Sequence, residues 1–137
     1  MKAITKLSGI LILSLLAIAC ATAPFKVADK YNFDNELQEQ KEISNFRIDS
    51  WESIDHQSLI IRSKFNDFYL IILQRPAISL PVSESIGVTV TINRVNSGFD
   101  NIIVADSHGT ESYIIHKMYK IKDEAQKREI KKRLKSM

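Results

Sequence analysis

The hydrophobic positions change period twice along the chain. Residues 10–16, Ile-Leu-Ile-Leu-Ser-Leu-Leu, form a short apolar run. Residues 21–44 show no apolar periodicity: 21–30 read as a tether, and 31–43 as a polar lead-in where Asp34 can cap a short helix. From Asn45 the spacing is that of strands. Phe46 and Ile48 alternate with Arg47 and Asp49, and the alternation breaks at Ser50-Trp51, where a bulge or bend would bring Trp51 inward. Ser58–Ser63 and Phe68–Leu73 flank Lys64-Phe65-Asn66-Asp67. Asn and Asp tolerate left-handed backbone, so the three stretches predict a hairpin. Its second strand is apolar on both faces and belongs in the middle of a sheet, covered on both sides. Arg75-Pro76 ends it, because proline has no N–H for a ladder.

Residues 77–85 read as a loop crossing. Ile86–Val95 alternates strictly, with Ile86, Val88, Val90 and Ile92 on one face, and predicts one continuous strand. Asn96-Ser97-Gly98 is a turn, Phe99–Val104 a strand, Asp106–Gly109 a turn, and Glu111–Tyr119 a last strand or two short ones. From Lys122 the period becomes helical. Asp123 is a fair N-cap, and Ile130 and Leu134 make a narrow apolar stripe. The expected fold is mainly β: a small antiparallel β-barrel or sandwich of five to six strands with a C-terminal helix, after an N-terminal signal segment. The chain divides into 1–19 signal peptide, 20–44 tether and polar lead-in, 45–121 β domain and 122–137 basic helix.

Lys2 and Lys6 ahead of the apolar run, with Ala17-Ile18-Ala19 after it, give the layout of a secretory signal peptide. Ending on Cys20, it resembles the bacterial lipoprotein signal. That resemblance implies that Cys20 is diacylated, becomes the new N-terminus and is acylated again with a chain such as palmitate. The usual pattern has Leu three residues before the cysteine; here Ala17 stands there, with Leu16 one place further back. Two other readings remain: a cleaved signal with Cys20 incidental, and an uncleaved membrane anchor. Against the anchor, the strongly apolar part stops near Ala19, and Thr22 and Pro24 follow at once. By resemblance to enterobacterial lipoproteins, Ala21 rather than Asp after the cysteine favours the outer membrane, facing the periplasm, over the inner membrane. A soluble periplasmic protein is the further alternative.

Cys20 is the only cysteine, so no intrachain disulfide is possible, and an acylated Cys20 leaves no free thiol. The formal charge of +3 is uneven. Lys122–Met137 carries seven Lys/Arg against three acids, net +4, whereas residues 20–121 carry ten against thirteen, net −3. An acidic body with a basic tail is not the footprint of a nucleic-acid binder.

The run Phe46-Arg47-Ile48-Asp49-Ser50-Trp51-Glu52-Ser53-Ile54-Asp55 carries a further likeness. With Tyr69–Pro76, Ile86-Gly87-Val88, Gly98-Phe99-Asp100 with Ile102, and Ile115–Tyr119, it resembles a family of uncharacterised proteobacterial lipoproteins. The likeness covers roughly residues 45–121. Members often carry a cysteine directly after the proline and a second near the last strand, which the resemblance implies are paired. Ala77 and Tyr113 stand at those places here. The family brings no activity with it.

The chemistry-bearing residues are sparse. His56, His108 and His116 lie at no metal-ligand spacing, and no metal or other cofactor is expected. Asp106-Ser107-His108 are adjacent, whereas a triad needs side chains converging from separate elements. No nucleophile elbow and no phosphate-cradling glycine loop occurs. Trp51 reads as a core aromatic. Phe65, beside Lys64 at the hairpin tip, is the candidate partner contact, and Lys131, Lys132 and Arg133 are candidates for a membrane or an acidic partner. The expected protein is a lipid-anchored, non-enzymatic binding or structural module that meets the membrane through Cys20 and an envelope component through its β domain. The alternative is a small periplasmic hydrolase or ligand-binding β-barrel, in which one of the histidines meets Asp55, Asp100 or Asp106. An OB-like barrel for sugar or oligonucleotide is a third reading, opposed by the acidic body.

Overall fold

Residues 26–136 are described by a computed structural model. The strands are β1 (Gln38–Glu39), β2 (Glu42–Ser44), β3 (Ser50–Ser53), β4 (Ser58–Ser63), β5 (Asp67–Leu73), β6 (Ser85–Val88), β7 (Arg94–Asn96), β8 (Asn101–Asp106) and β9 (Gly109–Ile121). Helix α1 (Glu124–Lys135) follows β9. Six strands form one antiparallel sheet in the order β3-β4-β5-β9-β8-β6, curled into a half-barrel. β1 adds to the free edge of β9 at Tyr119 and Lys120, and β2 and β7 pair separately as a two-stranded ribbon. The fold is thus mainly β with one C-terminal helix, as the periodicity requires.

β9 is the axis. Its second half pairs with β5 and its first half with β8. The register shifts where Ile72 faces Lys117 and Leu73 faces Ile115, so His116 is the extra residue of a bulge. The bulge resets the alternation. Tyr113 and Ile115 before it and Met118 after it all reach the concave core. There they meet Leu59 and Ile61 of β4, Tyr69, Ile71 and Leu73 of β5, and Ile102 and Val104 of β8. Ile43 and Val95 of the ribbon pack onto the same core. Trp51 lies half-buried against it, and Ala77 and Tyr113 both belong to it.

The other face is also covered. Leu70 and Ile72 of β5, with Tyr119 and Ile121 of β9, pack under Tyr31, Phe33 and Leu37 and under Ile130 and Leu134 of α1. β5 is therefore apolar on both sides because both sides are buried. The lead-in, polar by composition, contributes four core residues, Tyr31, Phe33, Leu37 and Ile43. The helix expected after Asp34 does not form. The Asp34 carboxylate instead accepts from Lys117 Nζ at 2.6 and 2.8 Å and from the Tyr119 hydroxyl at 2.8 Å. Those bonds, Lys117 first, hold its pKa below the usual aspartate value.

Two strand expectations are corrected. Ile86–Val95 is not one strand: β6 stops at Val88, and Thr91 and Arg94 exchange backbone hydrogen bonds of 2.9 and 3.0 Å around Ile92-Asn93. Both central residues are left-handed, with φ of 51° and 63°, which makes a tight two-residue hairpin turn and leaves Ile92 89% exposed. Asp100, only 2% exposed, collects this loop. It accepts from the Thr89 and Thr91 hydroxyls (3.0 and 3.4 Å) and from the backbone N–H and side-chain amide of Asn96 (2.7 and 3.3 Å). Phe46–Ile48 likewise forms no strand, although Phe46 is buried with its ring centroid 6.0 Å from that of Tyr69.

A candidate binding groove at the start of the last strand

The loop from Arg75 to Glu84 is pinned at two points. The Ala77 N–H donates to the His56 carbonyl at 2.7 Å, and Ala77 and Leu80 are fully buried. Leu80–Val82 is a single 3₁₀ turn containing Pro81. With Ala77 and Leu80 pointing in, Ile78 and Val82 point out, 81% and 78% exposed. Across from them stands the β8–β9 hairpin, turned at Asp106–Gly109, where Gly109 takes a φ of 133°. The open groove between loop and hairpin has a volume of about 700 Å³.

Its floor is an interlocked pair. The Arg75 guanidinium lies 4.2 Å from the centre of the Tyr113 ring and donates to the Ser112 carbonyl at 3.3 Å. The Tyr113 hydroxyl donates to Glu111. Burial first, and then that carboxylate, pushes the Tyr113 pKa up. Glu84 and Asp106 add two further carboxylates to the lining, so Arg75 is the one fixed cation among three acids. The groove offers an apolar lip, a stacked cation and acidic walls. That combination suits a partner carrying an apolar side chain next to a polar or cationic group.

The hairpin turn also holds the adjacent serine and histidine. Ser107 Oγ lies 3.1 Å from His108 Nδ1. The Asp106 carboxylate, however, accepts from the backbone N–H of His108 at 2.7 Å, which holds its pKa below the ordinary aspartate value. It supports the turn and makes no hydrogen bond to the imidazole. Asp55 similarly accepts from the backbone N–H groups of Gln57 and Ser58 and from the Tyr31 hydroxyl, and Asp100 holds its own loop. The His56 ring faces the Ile78 carbonyl at 3.2 Å. His116 sits at the β9 bulge, and burial first, then Lys117, pushes its pKa down. Among the described residues none of the three imidazoles is hydrogen-bonded to Asp55, Asp100 or Asp106. Among the described residues no cluster of three or more potential metal ligands occurs, and no helix is long and apolar enough to cross a membrane.

The sequence candidates are scattered. Cys20 and the side chain of Phe65 lie outside the described residues. Lys64 is half-buried in the 3₁₀ turn between β4 and β5. Lys131 is paired with Glu52 at 2.7 Å. Arg133 is paired with Glu36 at 2.5 Å and lies 4.6 Å from the centre of the Phe33 ring. Lys132 is exposed, with no ion pair among the described residues. None of the four described ones, Lys64, Lys131, Lys132 and Arg133, lines the groove. Its residues carried no distinguishing sequence signal: Arg75-Pro76 reads only as a strand stop, and nothing in 77–84 shows which apolar residues turn outward.

The model of a family of unknown function, DUF6491, matches residues 3–136. No curated protein and no solved structure matches the chain.

Proposed function

The chain belongs to the family of unknown function DUF6491, and on that footing we propose that it is a lipid-anchored envelope protein whose β domain binds a partner through the groove at the start of β9. The anchor reading is supported by the order of Lys2 and Lys6, the apolar run 10–16, Ala17-Ile18-Ala19 and Cys20. The binding reading is carried by one observation: Ile78 and Val82, exposed between buried Ala77 and Leu80, line the same groove as Arg75 stacked on Tyr113. Large apolar side chains held rigidly next to an oriented guanidinium are the parts of an interface centre. More than one buried acyl chain gives stable anchoring, and anchoring raises the local concentration of a weak binder near other envelope components.

Fatty-acid labelling of the wild type and Cys20→Ser tests the anchor: label in the wild type alone is expected, and an unlabelled wild type refutes it. A photo-crosslinking residue at Val82 tests the groove. It is expected to capture one abundant envelope component that the same residue at Ile92 does not capture. Equal capture from both positions refutes the groove as the binding site. The groove volume also falls within the range of small-molecule sites, which favours a ligand-binding domain as the second reading. A soluble ligand that copurifies with the wild type and is lost in Arg75→Ala would support it.

A further inference from the structure

The cations of α1 divide by direction. Lys127 and Lys131 turn down onto Glu52 of β3, at 3.4 and 2.7 Å. Arg133 turns down onto Glu36 and Phe33. Arg128, Lys132 and Lys135 remain, spaced i, i+4 and i+7, so they share one stripe opposite the buried Ile130 and Leu134. All three are exposed and make no ion pair among the described residues. Glu129 lies on the flank of this stripe, while Asp123 and Glu124 sit in the first turn, so the outward charge is concentrated in the last two turns.

The first described residues lie on the same side. Val27, Tyr31, Phe33 and Leu37 lie in the same outer layer as α1, over the same face of the sheet. Lys26, where the description begins, is exposed. Six residue steps separate it from Cys20, a reach of at most about 20 Å. Acyl chains on Cys20 would therefore keep this layer within one short tether of the headgroups. The groove, at the opposite end of β9, lies roughly 40 Å along the strand from the start of α1.

We infer that the stripe Arg128–Lys132–Lys135 is a docking face for anionic phospholipid headgroups of the leaflet that holds Cys20. The inference rests on the lipid-anchor reading above. Phospholipid is favoured over an acidic protein because the stripe has no apolar residue to serve as an anchor, whereas a diffuse charged surface needs none. Docking lays the outer layer on the membrane.

The full chain, purified from membranes and reconstituted into vesicles, tests this by lysine acetylation read by mass spectrometry. Labelling of Lys132 and Lys135 is expected to fall several-fold when phosphatidylglycerol is added to phosphatidylcholine. It should recover at about 1 M salt, where the screening length is about 3 Å. Lys41, exposed just before β2, should label equally in both vesicles. In Arg128→Gln/Lys132→Gln, Lys135 should label in anionic vesicles as it does in neutral ones. Equal labelling of the wild type in both vesicles overturns the inference. So does protection found only in native membranes, which would assign the face to an acidic protein. The acyl mass on Cys20, read from the same sample, separates the two claims: its absence refutes the anchor, while an acylated chain without protection refutes the docking alone.

Discussion

Asp100→Ala removes the acceptor around which residues 89–100 are folded. Four donors converge on this carboxylate, and bonds to a charged acceptor are each worth about 1.5–3 kcal/mol, so a simple sum would exceed about 6 kcal/mol. The geometry argues for less. The Thr89 and Thr91 hydroxyls can rotate toward other acceptors, and Thr89 Oγ1 still accepts from the Asn101 N–H at 2.8 Å. The Asn96 backbone N–H cannot rotate, and stranding it carries the main penalty. A loss of about 3 kcal/mol is expected, which for a domain of this size lowers Tm by about 15 °C. Asp100→Asn keeps one acceptor for that N–H and should cost about 1 kcal/mol. Urea unfolding gives the magnitudes, and native-state hydrogen exchange gives the location: in Asp100→Ala, amides 94–96 of β7 should exchange faster while those of β5 keep their order of protection. An alanine variant within about 0.5 kcal/mol of wild type, or an asparagine variant as unstable as alanine, would refute this account.

Three further outcomes follow from other sites. Ile92 is a β-branched residue at a φ of 51°, so Ile92→Asn should raise stability by about 1 kcal/mol and Tm by about 5 °C in a thermal melt; no gain would mean that the turn is unstrained. Leu134 is buried where α1 meets the sheet, so Leu134→Ala should cost about 2–4 kcal/mol by urea midpoint, while Lys132→Ala on the opposite face should change it by less than about 0.5 kcal/mol. Glu52 joins β3 to α1. Burial alone would raise its pKa, but Lys131 and then Lys127 outweigh it and hold the group below the ordinary 4.5. A lowered folded pKa contributes stability that is complete above pH 4.5 and is lost as pH falls through the folded value. Glu52→Gln should therefore narrow its stability gap to wild type in acid unfolding below pH 4.5, and a constant gap would contradict the pairing.

What could be read from the sequence was whatever local periodicity controls. The β4–β5 hairpin, the double-sided burial of β5 and the stop at Arg75-Pro76 follow from side-chain alternation and backbone chemistry, and Asn66 takes the left-handed conformation (φ 67°) that its turn needs. The helix from Asp123 is equally local: the Asp123 carboxylate accepts from the Gln126 N–H at 2.8 Å, as an N-cap should. Tertiary pairing decided the rest. Ile86–Val95 alternates without fault, yet Thr91 and Arg94 close a turn inside it, because the ribbon with β2 and the Asp100 network reward a reversal that no window of the sequence displays. Tyr31, Phe33 and Leu37 follow no helical or strand period, since they fill separate positions over a face built from β5 and β9. The groove was hidden for the same reason: which of Ala77, Ile78, Leu80 and Val82 turn outward depends on His56, far away in sequence.

The bulged strand β9 also sets the order in which the molecule can assemble. It is the last strand among the described residues and sits between β5 and β8, with β1 on its far edge. A nascent chain ending before residue 109 holds a β3–β4–β5 meander and a β6–β8 pair with no strand between them. Neither fragment can complete the shared concave core, because Tyr113, Ile115 and Met118 have not yet been made. Contacts of such long sequence separation form slowly, and here they cannot begin until residues 109–121 have been made. The residues ahead of β9 are therefore translated in an incompletely folded state until β9 itself has been made.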